Sequence, residues 1–198
     1  ACHPDTLRTF CRQKGITMNA VILYGSRYGS TRRYAEMLSE QTGVPAVSYT
    51  DAPSLSDQEL IVYLGGLYAG GVLGLSKTLT GFSGQAVPPK MLLVTVGLSD
   101  PEERETQENI RRALQKQCPA AILDQAKIFH LRGAIDYQKL SFSHRAMMAL
   151  LYRVLRKKAP ESRNAEDRAF AETYGGQADF VDFHTLEPII KEMQRELI

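Results

Sequence analysis

The chain has 198 residues, 43% of them hydrophobic and 23% charged, enough for one domain with a substantial core, or one domain carrying an insertion. No apolar run reaches the length of a membrane span, and Leu7 to Ile16 is broken by Arg8, Arg12 and Lys14, which argues against a secretory leader. A formal net charge of +2 is too small to argue for nucleic acid, so no nucleic-acid partner is expected.

In chain order, residues 1–17 show no usable periodicity and are expected to be an N-terminal extension, with Met18 as the natural start of a single domain over 18–198. Ala20-Val21-Ile22-Leu23-Tyr24 is a nearly continuous apolar run, the pattern of a strand buried on both faces. A Gly/Ser-rich turn follows. Thr31 to Gln41 then reads as a helix with Tyr34, Ala35 and Leu38 on one face and Gly43 as its stop. Val44 to Tyr49 is a weaker strand, Asp51 to Glu59 a polar loop, and Leu60 to Leu64 another buried strand. The glycine-rich stretch Gly65 to Gly71 is expected to be a flexible loop, followed by a short helix over Leu73 to Phe82. Pro88 and Pro89 precede the buried strand Met91 to Val96. Asp100 as N-cap, Pro101 at the first position and Glu103 closing a capping box predict a helix running to about Gln117. Ala126 to Leu131 is a last strand and Glu187 to Leu197 a last helix.

Strands alternating with helices imply right-handed βαβ crossovers and a parallel sheet. Five such strands suit the doubly wound α/β order 2-1-3-4-5, in which ligands bind beyond the carboxyl ends of the strands. The residues between the last strand and last helix, about Asp136 to Asp182, are too many for a simple loop and are expected to be an insertion with its own structure. Cys2, Cys11 and Cys118 lack metal-type spacing and read as free thiols in a reducing cytoplasm. His3, His130, His144 and His184 form no H-x-x-x-H pair, so no structural metal is expected.

The chemistry concentrates in Ser26-Arg27-Tyr28-Gly29-Ser30-Thr31, between a buried strand and a helix. A helix N-terminus carries unpaired N–H groups and partial positive charge, which suits an anion. Ser26 and Thr31 can add hydroxyl donors, and Gly29 can take positive φ. No Lys stands where a P-loop needs one, and Gly25 and Gly29 do not make G-x-G-x-x-G. The residues alone leave two readings, a phosphomonoester site and an ordinary serine-rich N-cap.

The turn Ser26-x-Tyr28-Gly29-x-Thr31 resembles the flavodoxin phosphate signature T-x-T-G-x-T, with Ser for the first Thr and Tyr for the second. The resemblance implies a flavodoxin-like three-layer sandwich with a five-stranded parallel sheet, an FMN cofactor, and two further loops that flank its ring. Those loops are Gly65-Gly66-Leu67-Tyr68-Ala69-Gly70 and Thr95-Val96-Gly97-Leu98. Flavodoxins place a large aromatic in each. Tyr68 is the stacking candidate in the first, unless it is a tyrosine at the edge of the core, and the second offers Leu98.

On a helical projection of Leu140 to Lys158, Leu140, Met147, Met148, Leu150, Leu151, Val154 and Leu155 share one broad face, with Arg145, Tyr152, Arg153 and Arg156 opposite. Tyr137 to Pro160 contains Lys139, Arg145, Arg153, Arg156, Lys157 and Lys158 and no acidic residue. Such a helix can lie on an anionic membrane or meet a partner, or its apolar face can pack on the domain. A basic, Met/Leu-rich insertion after Gly133-Ala134 resembles the menaquinone-dependent protoporphyrinogen oxidase branch of the flavodoxin superfamily.

The expected function is an FMN-dependent oxidoreductase passing electrons between a reduced substrate and a quinone or protein acceptor, protoporphyrinogen oxidase-like in what the resemblance implies. Soluble shuttle flavodoxins are strongly acidic, which this chain is not. The alternatives are an electron-transfer flavodoxin serving a protein partner and a flavin-free module of the same fold. No catalytic acid or base is fixed by the sequence. The expected partners are a redox protein, a quinone or a small-molecule substrate, with a homodimer as a further state. The expected location is the cytoplasm, with peripheral contact at the inner membrane face through the insertion.

Overall fold

The computed structural model describes residues 19–68, 70–81 and 89–197. The expected extension over 1–17, with His3, Cys2 and Cys11, lies outside the described residues, as do Ala69 and Phe82. The elements are β1 (Ala20–Gly25), α1 (Ser30–Thr42), β2 (Ala46–Ser48), β3 (Leu60–Tyr68), β4 (Gly71–Val72), α2 (Leu75–Thr80), β5 (Lys90–Gly97), α3 (Arg104–Gln117), α4 (Ala120–Leu123), β6 (Lys127–Arg132), β7 (Ala134–Asp136), α5 (Phe142–Leu155), α6 (Ala165–Thr173), β8 (Gln177–Asp179) and α7 (Glu187–Leu197).

The parallel strands run β2-β1-β3-β5-β6, the expected order, with an additional short strand, β4, antiparallel to β3. Alternation along β1 explains the layering. Ala20 and Ile22 point to one face, among Tyr34, Leu38, Ile189 and Met193. Val21 and Leu23 point to the other, among Leu75, Leu79, Ile110 and Leu114. Both faces are dry, so the strands read as apolar runs rather than alternating ones.

Three expectations need correction. Gly65 to Gly71 is not a flexible loop: β3 continues through Tyr68 and folds back on β4. The glycines are there because the approach is close. A Cβ on Gly65 would lie 2.1 Å from Val72 Cγ1. Gln117 clamps the hairpin, its Oε1 accepting from the Val72 N–H at 2.6 Å and its Nε2 donating to the Val72 carbonyl at 3.2 Å. The helix after Asp100 begins at Arg104 with Glu103 as N-cap. Asp100 instead closes a turn, accepting from the Glu102 N–H at 2.9 Å. The helix predicted over Leu73 to Phe82 is the shorter α2, because Gly74 at φ +82° sets its start.

The segment between β6 and α7 has its own small core. β7 and β8 pair antiparallel, Ala134 with Asp179 and Asp136 with Gln177. Ile135, Tyr137 and Leu140 are buried against Met148, Phe170 and Tyr174. Tyr152 stacks on Tyr174 with ring centroids 3.8 Å apart. Arg33 on α1 ties this unit to the sheet layer through Asp179 at 2.7 Å.

Candidate functional site

The turn after β1 has the geometry of an anion cradle. Its N-cap is Gly29 at φ +100°, and no side chain caps the helix. Ser26 Oγ accepts from the Gly29 N–H at 3.1 Å and so does not reach the amides of the first helical turn. That turn carries no acidic residue, and its N–H groups and positive dipole end are left for a ligand. The serine-rich sequence therefore does not make a self-capped helix. Thr31 is 2% exposed and lines the cavity over this turn. Glycines leave room around it. A Cβ on Gly66 would lie 3.2 Å from Thr31 Oγ1, and one on Gly133 3.1 Å from Ser30 Oγ.

A cavity of about 300 Å³ opens over this turn, within the range that ligand sites occupy. Ser26, Arg27, Tyr28, Ser30 and Thr31 line it from the turn, Gly66, Leu67 and Tyr68 from the end of β3, and Val96, Gly97 and Leu98 from the end of β5. The other expected site residues lie elsewhere. Gly29 shapes the turn without lining the cavity. Gly65 is packed under Val72. Gly70 turns the β3–β4 hairpin at φ +77° and borders a second cavity. The Thr95 side chain is buried and hydrogen-bonded to His130 Nδ1 at 2.8 Å. Ala69 is outside the described residues.

The wall at Gly97 and Leu98 is fixed from β6. The Gly133 N–H donates to the Gly97 carbonyl at 2.6 Å. The Arg132 guanidinium donates to the Leu98 carbonyl at 3.0 and 3.3 Å while lying over the Phe180 ring, 3.7 Å from its centroid.

Sequence reasoning missed the far wall, which comes from Leu73, Ala134, Ile135, Leu140 and α5. Its polar member is His144. One ring nitrogen, Nε2, lies 2.7 Å from the Tyr68 hydroxyl, and Nδ1 meets the hydroxyl of Tyr28. Tyr28, the residue by which the turn departs from the flavodoxin signature, is thus the residue that reaches the insertion. Nothing local in the sequence signals this pairing, since Tyr28 and His144 are 116 positions apart.

A second cavity of about 550 Å³ lies on the other side of Leu67, Tyr68, Gly97 and Leu98. Its other walls carry Asn109, Arg112 and Lys116 on α3, His130 on β6, and Asn164 and Phe170 beside and on α6. Burial pushes the His130 imidazole below its ordinary pKa, against an opposing backbone hydrogen bond at Phe129.

The apolar stripe of α5 is only partly covered. Leu155 is buried and Met148 packs on the insertion core. Phe142, Leu150, Leu151 and Val154 are 83%, 63%, 49% and 54% exposed. Leu140 precedes the helix rather than joining its face. Of the alternatives the sequence leaves for this stripe, packing on the domain therefore holds for its inner edge alone. No helix among the described residues is long and apolar enough to cross a membrane.

A family model for the flavodoxin domain matches residues 21–162. No curated protein matches the sequence significantly. Among solved structures, the chain is similar to a flavoprotein in complex with FMN from Lactobacillus acidophilus, with TM-score 0.42 and 9% identity over 59% of this chain and 93% of that one. It is also similar to a WrbA-like flavodoxin from Agrobacterium tumefaciens, with TM-score 0.40 and 20% identity over 56% and 76%. A third is rubredoxin oxygen:oxidoreductase from Desulfovibrio gigas, with TM-score 0.43 and 12% identity over 79% and 37%.

Proposed function

The chain belongs to the flavodoxin domain family, and from that premise we propose that it is an FMN-binding oxidoreductase that delivers electrons to a quinone or protein acceptor. The observation that carries this reading is the uncapped first turn of α1 beside the buried Thr31 at the cavity. Backbone N–H groups, a helix dipole and the Ser26, Ser30 and Thr31 hydroxyls line that place, the donor set a phosphomonoester requires. The apolar residues Leu67, Leu73, Val96 and Leu98 border the same cavity and suit the body of a flavin, from which they would exclude water. Bound FMN supplies the redox chemistry, and this chain's residues bind and orient it.

On this reading the second cavity takes the reduced substrate, of the porphyrinogen type that the sequence resemblance implies. Leu67, Tyr68, Gly97 and Leu98 border both spaces, and Arg112 and Lys116 suit carboxylate groups on that substrate. The acceptor is met at an anionic membrane surface. The support is the exposed Phe142, Leu150 and Val154 on a segment, Tyr137 to Pro160, with six Lys and Arg and no acid. A second copy on that face would oppose like charges.

The phosphate assignment is tested by Ser26→Ala combined with Thr31→Val. Each lost hydrogen bond to a charged phosphate is worth about 1.5–3 kcal/mol, so FMN affinity measured by flavin fluorescence falls at least tenfold. Riboflavin, which lacks the phosphate, binds the variant and the parent alike. Unchanged FMN affinity would sink the assignment.

A further inference from the structure

We propose that His144 is the proton-exchanging residue of this site, working through Tyr68 on one side and Tyr28 on the other. The inference rests on the FMN–quinone reading above and adds the acid–base group that reading lacks.

A quinone reduced to its hydroquinone gains two electrons and two protons. Bound FMN in its anionic reduced form would supply both electrons and one proton. The second proton must be delivered by the protein or by water to the other quinone oxygen. Among the described residues, the side chains around the cavity that hold exchangeable protons are Ser26, Arg27, Tyr28, Ser30, Thr31, Tyr68 and His144. Guanidinium keeps its proton in proteins, and aliphatic hydroxyls do not ionise near neutrality. The imidazole is the one group of this set with two ring nitrogens, so that it can accept a proton at one while it releases one from the other.

The geometry makes His144 a relay rather than an isolated acid. Tyr68 stands at the end of β3, in the wall common to both cavities. Its hydroxyl is 2.7 Å from His144 Nε2. Nδ1 meets the hydroxyl of Tyr28, whose side chain is 40% exposed and reaches solvent. An imidazole held at both nitrogens accepts a proton at one and releases one from the other. In the delivering direction the Tyr68 O–H bond breaks as the quinone O–H bond forms. Nε2 gives its proton to restore the Tyr68 hydroxyl as Nδ1 takes one from the Tyr28 hydroxyl, which is refilled from water, so the ring passes from its Nε2–H to its Nδ1–H form and one proton has crossed the chain. Arg27 on the turn is the charged side chain that lines the cavity with His144, and no carboxylate lines it among the described residues.

The test uses the holoprotein with His144→Gln, which keeps a hydrogen-bonding side chain but cannot carry the proton. Flavin fluorescence first measures FMN affinity, expected within about threefold of the parent. The reduced holoprotein is then mixed with a water-soluble naphthoquinone and, separately, with ferricyanide, which takes an electron and no proton. General acid catalysis contributes about 10²–10⁴-fold. The quinone rate of the variant is therefore expected to fall about a hundredfold, while the ferricyanide rate is unchanged. Tyr68→Phe should repeat the quinone defect. In the protein without FMN it should also shift the nitrogen NMR signal of Nε2 and leave Nδ1 in place.

Loss of both rates together, or a parent-like quinone rate in His144→Gln, overturns the relay. So does an Nε2 signal indifferent to Tyr68→Phe. A parent protein that binds no FMN overturns the reading beneath it and the relay with it, and the first measurement shows that separately.

Discussion

Gly29 and Gly74 both hold positive φ, +100° and +82°, in different surroundings. A Cβ on Gly29 meets nothing within 4 Å, whereas one on Gly74 falls 2.6 Å from the Tyr49 ring and from the Tyr63 hydroxyl. Gly29→Ala should therefore cost only the backbone strain, about 1–2 kcal/mol. Gly74→Ala should add overpacking of about 1–3 kcal/mol. Urea unfolding of the two variants checks this, and equal losses would contradict it. At this scale the sequence was informative where chemistry is local. Ser26, Gly29, Ser30 and Thr31 are contiguous, and their role follows from what a strand-to-helix turn leaves unpaired. His144 was illegible because its meaning comes from Tyr28 and Tyr68, which the fold alone brings to it. Thr95 misled for a related reason: alternation along β5 sends its side chain to His130, not to the cavity.

Elements were legible where burial and periodicity agree. β1 and β5 are apolar runs buried on both faces, and no loop explains such a run. The end of β3 was hidden because glycine reads as loop, yet the ladder of Gly65 to Thr95 and Gly66 to Val96 holds it extended. The apolar stripe of α5 was visible, but periodicity does not say what covers a stripe. Elements are also tied by charge. Glu192 on α7 accepts a hydrogen bond from Lys127 on β6. That bond is the largest influence holding the carboxyl below its ordinary pKa, with burial opposing and the charges of Lys127 and Arg195 assisting. A carboxyl depressed in the folded state stabilises the fold above its unfolded value, about 4.3, and the contribution is lost as pH falls through the folded value. Glu192→Gln should thus be less stable than the parent at neutrality, with the gap closing in acid. Urea midpoints across that range test it, and a gap independent of pH would contradict the pairing.

At the scale of the molecule, the sheet presents the ends of β1, β3 and β5 to one rim, and the insertion stands over that rim with its outer face bare. This arrangement predicts binding to vesicles containing phosphatidylglycerol, weaker binding to phosphatidylcholine alone, and release by salt. Leu150→Glu with Val154→Glu should reduce sedimentation with the anionic vesicles at least tenfold, because one buried leucine contributes about 1.5–3 kcal/mol. Thermal stability should hold, since both side chains are exposed. Parent-like vesicle binding by this variant would remove the membrane from the account. The central claim is that the Ser26–Thr31 turn holds the phosphate of FMN, and titration of FMN into the flavin-free protein tests it most directly. Flavin fluorescence should be lost to a one-to-one endpoint, and native mass should rise by one FMN. A protein that stays colourless, with free-flavin fluorescence undiminished, would contradict it.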